Sequence, residues 1–132
     1  MGCNGGDMGL AFDYIISNGI DTEEKYGYVG YDEKCKYKDT DGIKPINDWC
    51  SVKPYSADAL KYALNHGPVA VAIEADTMTF QFYSRGTLTS SACGTDLDHG
   101  VLAVGYGTDN KGLEYFMVKN SWGKGWGQSG FI

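Results

Sequence analysis

The sequence predicts an α+β fold, and three features carry that expectation. Two segments place apolar residues at helical spacing, a run of small and β-branched residues follows the second of them, and two further apolar runs flank one turn-forming stretch. The helices come early and the strands late, so the chain reads as helices beside an antiparallel sheet.

The first helix follows Gly5-Gly6. Met8, Ala11, Phe12, Ile15 and Ile16 form one apolar face over two turns, with Asp7 as N-cap or first-turn acid and Asn18-Gly19 as the stop. From Ile20 to about Cys50 the pattern is irregular, and Gly30, Asp41-Gly42 and Pro45 mark turns. Ser56 caps a second helix that turns Ala59, Leu60, Ala63 and Leu64 inward and ends at Gly67-Pro68. Val69 to Ile73 then reads as a buried strand.

Residues 99–107 and 113–119 are apolar and partly β-branched, and Thr108-Asp109-Asn110-Lys111-Gly112 between them is turn chemistry. The simplest hairpin is centred between Asp109 and Asn110. That register sets His99 opposite Asn120, with Cα atoms roughly 4.5–5.5 Å apart, unless a bulge intervenes.

Composition narrows the function classes. A chain of 132 residues suffices for one ordinary domain, and an aromatic content of 14% argues against disorder. The formal charge of −6 argues against a nucleic-acid binder and suits an acidic compartment or the extracellular space. No apolar run is long enough to cross a bilayer, so no membrane partner is expected. The glycines complete neither a dinucleotide fingerprint nor a phosphate loop, and no cofactor or metal is expected. The four cysteines, Cys3, Cys35, Cys50 and Cys93, form no Cys-x-x-Cys pair and read as disulfide partners from an oxidising compartment. Three pairings stay open if all four pair within the chain.

A histidine facing a carboxamide is the constellation that carries chemistry. The amide oxygen accepts from one ring N–H and fixes the tautomer, and the other ring nitrogen is free to exchange a proton with a nucleophile. His66 lies at a helix end, where contact with the terminal carbonyls explains it.

The residues around this pair resemble the papain-like cysteine proteases. Leu97-Asp98-His99-Gly100-Val101 with Val104-Gly105-Tyr106-Gly107 is similar to their histidine strand. Lys119-Asn120-Ser121-Trp122-Gly123-Lys124-Gly125-Trp126-Gly127 resembles their asparagine signature, Gly2-Cys3-Asn4-Gly5-Gly6 their cleft-lining segment, and Gly67-Pro68-Val69-Ala70-Val71-Ala72 the strand entering their second domain.

The resemblance implies a papain-like fold. Residues 1–50 would form part of a helical left domain, and residues 51–132 most of a right-hand β-barrel domain. It implies His99 and Asn120 as catalytic residues. Gly5, Gly6, Met8, Ala72, Leu97, Asp98 and Trp122 would bind substrate: Gly6 through its main chain, Met8, Ala72 and Leu97 around an apolar pocket, and Trp122 as cover for the His–Asn bond. Cys3, Cys35 and Cys93 are disulfide candidates with partners outside the chain. Cys50 has no counterpart and is either free or paired with Cys35.

Peptide or protein substrates and cystatin-like inhibitors are the implied partners, and a lysosome, vacuole or the secreted state the implied location. The chain departs from the family in lacking the Cys-Gly-Ser/Ala-Cys-Trp/Tyr segment that carries the nucleophile. Asp7, Gly9 and Gly27 are also unusual. The expectation is therefore a fragment whose missing partner is the N-terminal segment of the same protease, ending mid-strand at Phe131-Ile132 and inactive alone. The other reading is a non-catalytic homologue that binds peptides or inhibitors.

Overall fold

The computed structural model describes residues 4–38 and 42–132, so Cys3 lies outside the described residues. The chain divides into two compact units, one ending at Ser51 and the other beginning at Val52.

In the first unit, α1 (Met8–Asn18) starts where Asp7 accepts from the Leu10 N–H at 3.0 Å and stops at Gly19, whose N–H donates to Ile15 O at 2.8 Å. Aspartate and glycine thus satisfy helix ends that would otherwise leave orphan polar groups. Irregular chain wraps this helix. Ile20 and Ile43 form an isolated antiparallel bridge, and the Trp49 indole N–H donates to Asp13 at 2.8 Å while its ring packs on Phe12. The unusual Gly9 has its reason here: a Cβ at that position would lie 2.9 Å from the Trp49 ring.

The second unit holds α2 (Ala57–Leu64), β1 (Val69–Ile73), α3 (Met78–Gln81), β2 (His99–Thr108) and β3 (Glu114–Lys119), with the strands ordered β1-β2-β3 in one antiparallel sheet. Ser56 caps α2 by accepting from the Ala59 N–H. β1 is half-buried with Ala72 exposed, where a buried strand was expected, because it lies at the sheet edge and pairs with β2 alone. The core comprises Ala75, Phe80, Tyr83, Val101 and Ala103, all in this unit.

The hairpin register differs from the simple one. Leu102 pairs with Lys119 and Ala103 with Val118, a bulge intervenes between Ala103 and Gly105, and Thr108 pairs with Glu114. The centre therefore falls near Lys111, and His99 and Asn120 are not directly opposed. The cause is Asp109. Its carboxylate accepts from the Lys111 N–H at 2.8 Å, the Leu113 N–H at 2.9 Å and the Thr87 hydroxyl at 2.8 Å. A side chain that gathers those amides shapes a wider turn and carries the strands past the two-residue solution. The alternation of faces survives the change. His99, Val101 and Ala103 share a face, Ala103 opposes Val118, and Asn120 follows Val118 by two residues.

The Leu113 N–H, the Thr87 hydroxyl and the Lys111 N–H hold the Asp109 carboxyl below its ordinary pKa. A depressed carboxylate contributes stability that is complete above its unfolded pKa and fades as pH falls through the lowered folded value. The Asp109→Asn chain is expected to melt below the parent at neutral pH, with the gap narrowing below about pH 4. Thermal melts across pH check this, and a gap constant with pH would remove the carboxylate charge from the account.

Candidate active site

His99 opens β2, and Asn120 lies one residue past β3. The preceding residue sets the histidine in place: the Asp98 N–H donates to Ile73 O at 3.0 Å, and its carboxylate accepts from the N–H groups of Ala75 at 2.7 Å and Asp76 at 3.2 Å. Asp98 therefore ties the start of β2 to the turn that leaves β1, and both its oxygens are engaged by backbone.

Asn120 is set by the loop that follows it. Its N–H donates to Gly130 O at 2.9 Å, Gly130 N–H to Trp126 O at 2.8 Å, and Val118 exchanges both backbone bonds with Ile132 at 2.7 and 2.9 Å. The reversal between them needs glycine at position 127, where φ is +56° and a Cβ would lie 2.6 Å from Phe131 O.

The two side chains meet. His99 Nε2 and Asn120 Oδ1 are 2.8 Å apart, the ring is half-buried, and Asn120 is 6% exposed. An amide oxygen only accepts, so Nε2 carries the proton in this bond and Nδ1 is the bare nitrogen of the neutral ring. The pair can thus present a base at Nδ1, and can hold the imidazolium once that base is protonated.

Aromatic rings cover the bond. Trp122 stacks on the His99 ring with centroids 5.3 Å apart and planes 27° from parallel. Phe80, at 5% exposure, stands edge-on to Trp122 at 5.4 Å, and Trp126 packs against Phe80, Tyr83 and Trp122. The Trp126 indole donates to Gln81 O at 3.0 Å, and the Tyr83 hydroxyl lies 2.7 Å from Gly86 O and 3.0 Å from Gln128 Oε1. Burial pushes the Tyr83 phenol up. These apolar walls strengthen the His–Asn hydrogen bond by lowering the local dielectric.

The remaining expected residues separate into groups. Ala72 and Leu97 both line a cavity of about 910 Å³, shared with Ile73, Phe80, Leu88 and Phe116. Gly5 and Gly6 are exposed, and a Cβ on either would meet nothing within 4 Å. Met8 is half-buried as the first residue of α1. Cys35, Cys50 and Cys93 are exposed free thiols, so Cys35 and Cys50 do not pair. Among the described residues no thiol hydrogen-bonds the His99 ring, and no group of side chains is arranged to hold a metal. The His66 Nδ1–H donates to Tyr62 O at 3.0 Å, just past the end of α2.

Sequence reading missed Phe80 and Gln81 because α3 spans only 4 residues, too short for a periodic signal. The available signal was Thr77, an N-cap residue ahead of the aromatic cluster Phe80, Phe82 and Tyr83.

A family model described as papain family cysteine protease matches residues 1–132. Cysteine proteinase RD21A of Arabidopsis thaliana is 49% identical over 133 residues, covering 99% of this chain and 28% of that protein. The bromelain protease of Ananas comosus, solved in complex with the E64 inhibitor, superposes with a TM-score of 0.89 at 37% identity, over 98% of this chain and 60% of that one. Digestive procathepsin L 3 of the Tenebrio molitor larval midgut gives a TM-score of 0.90 at 41% identity, over 98% of this chain and 42% of that one. The chain spans less than a third of the length of RD21A.

The loop geometry makes a stability prediction. Gly127→Ala is expected to cost more than about 2 kcal/mol, because the left-handed backbone alone costs about 1–2 kcal/mol and the new Cβ would lie 2.6 Å from Phe131 O. Gly125→Ala, where a Cβ meets nothing within 4 Å, should stay within about 0.5 kcal/mol of the parent. Urea midpoints of the two variants measure the contrast.

Proposed function

The chain belongs to the papain family of cysteine proteases, and from that premise we propose that it carries the acid–base half of a thiol peptidase site. His99 takes the proton of a cysteine thiol at Nδ1 and returns it to the leaving amine, while Asn120 holds the imidazole through Nε2. The observation that carries this reading is the 2.8 Å approach of His99 Nε2 to the buried Asn120 Oδ1.

The chemistry follows from the charges. Proton transfer from the thiol leaves a thiolate and an imidazolium. The thiolate attacks the scissile carbonyl, and the tetrahedral oxyanion collapses as the imidazolium protonates the amine, leaving a thioester that water then hydrolyses with His99 again as base. A neutral amide suits the supporting role, because it stabilises the imidazolium without competing with the thiolate for the proton. Trp122 keeps water from the pair.

Peptides or proteins are the proposed substrates, and cystatin-like proteins the proposed inhibitors. Gly5 and Gly6 would present backbone to an extended chain, Ala72 and Leu97 would line an apolar pocket for one substrate side chain, and Met8 is proposed to bind substrate as well. The first unit is proposed as part of the left domain of the family and the second as the barrel domain. A vacuolar or secreted location is proposed on the same footing.

The 132-residue polypeptide by itself is proposed to be inactive, since no described thiol hydrogen-bonds the His99 ring. That observation also favours a second reading, a homologue that binds peptides or inhibitors without cleaving them.

A fluorogenic-peptide assay separates the two. The chain alone should give no thiol-dependent turnover. A fusion that supplies the cysteine-bearing amino-terminal part of a relative ahead of Met1 should give it. In that fusion His99→Ala should lower kcat/KM by about 10⁴-fold or more, and Asn120→Ala by roughly 10²–10⁴-fold. A correctly folded fusion that binds E64-type inhibitors but hydrolyses nothing would favour the binding module, and turnover by the unfused chain would end the claim of inactivity.

A further inference from the structure

The His–Asn bond functions only with the amide oxygen turned toward the ring, so something must choose that orientation. The amide has two orientations of nearly equal shape. In one, the oxygen accepts from Nε2–H and Nδ1 is the base. In the other, the amine donates to Nε2, the ring proton moves to Nδ1, and the base is lost to a nucleophile on that side. Amide orientation and histidine tautomer are therefore one two-state choice.

Two contacts bear on it. The Ser121 backbone N–H lies 2.7 Å from Asn120 Oδ1, and a backbone N–H can only donate. Reversing the amide would set its NH₂ against that N–H, donor on donor. On the other side, Asn120 Nδ2 is buried and has no hydrogen-bond partner. Nothing at the amine end selects the observed state, so the selection comes from the oxygen end. Of the two donors there, His99 can follow a reversal by changing tautomer, but the peptide group cannot.

We propose that the main-chain N–H of Ser121 is a positioning group that locks the Asn120 amide and, through it, holds His99 as the Nε2–H tautomer. The Ser121 side chain has no part in this; the residue acts through its peptide nitrogen. The functional meaning rests on the role proposed for His99, whereas the lock is measured without any turnover.

The chain has only two histidines, so ¹⁵N-histidine labelling with long-range ¹H–¹⁵N correlation resolves both rings, and a His66→Gln variant assigns them. In the parent at neutral pH, His99 should be a single Nε2–H tautomer. The Ser121 N–H, although its residue is exposed, should exchange at least about tenfold slower than an unstructured amide. It should also show a scalar coupling through the hydrogen bond to Asn120 Cγ.

Ser121→Pro removes the donor, and His99 should then populate both tautomers. In an Asn120→Asp background both carboxyl oxygens accept, so Ser121→Pro should leave the Nε2–H tautomer unchanged. An unprotected Ser121 amide in the folded parent overturns the lock, as does a folded Ser121→Pro chain that keeps one tautomer. If Ser121→Pro does not fold, the parent's exchange rate and coupling decide. An inert fusion protease with the expected tautomer data would sink the peptidase reading and leave the lock standing.

Discussion

The antiparallel pairing of β2 with β3 is the constraint on which the rest of the second unit depends. His99 and Asn120 are 21 residues apart in sequence, and neither has a fixed position of its own at the ends of unpaired strands. Cross-strand alternation puts both on one face, because Ala103 opposes Val118 and each site residue lies an even number of positions from one of these. A register slip of a single residue would send one side chain through the sheet. The bulge between Ala103 and Gly105 lies on the turn side of the last paired residues, so it adjusts the hairpin without disturbing that parity. Asp109 fixes the turn, Ile132 pins Val118 from the other side, and the site lies at the far end of a ladder held along both edges.

Burial converts that placement into chemistry. A hydrogen bond between imidazole and amide in water contributes little, since each group exchanges one partner for another. At 6% exposure Asn120 has no such exchange available, and the stacked Trp122 denies it to the shared side of the ring. The aromatic cluster is anchored by polar contacts of its own, with the Trp126 indole on Gln81 O and the Tyr83 hydroxyl near Gly86 O and Gln128. A cover built only from apolar contacts would tolerate sliding. These bonds at its margin give the rings one arrangement.

Much of this is legible in the sequence, and what is not has a common cause. The caps at Asp7 and Ser56, the stop at Gly19 and the strand at Val69–Ile73 are local, because each depends on residues within one turn or on a run of side chains. The hairpin was legible as a hairpin, but its register was not. Three hydrogen bonds accepted by one aspartate shape it, and one of those comes from Thr87, 22 residues upstream. The expectation that Asp98 binds substrate says nothing of its carboxylate's contact with the amides of Ala75 and Asp76, which no spacing rule reports. The meeting of His99 with Asn120 survived the wrong register because it depends on parity and on the family signature rather than on direct opposition.

The distribution of polar groups carries the argument one step further. Among the described residues, the hydrogen bonds that place the His–Asn pair, from the Ala75 and Asp76 amides to Asp98 and from Asn120 N–H to Gly130 O, lie within the unit that begins at Val52. A pair held by hydrogen bonds of its own unit has its donors and acceptors in place without rearrangement. The same bonds hold the His99 ring against Asn120 although none of the described thiols hydrogen-bonds it. What the pair presents is a ring held at Nε2 and bare at Nδ1, a geometry suited to proton transfer.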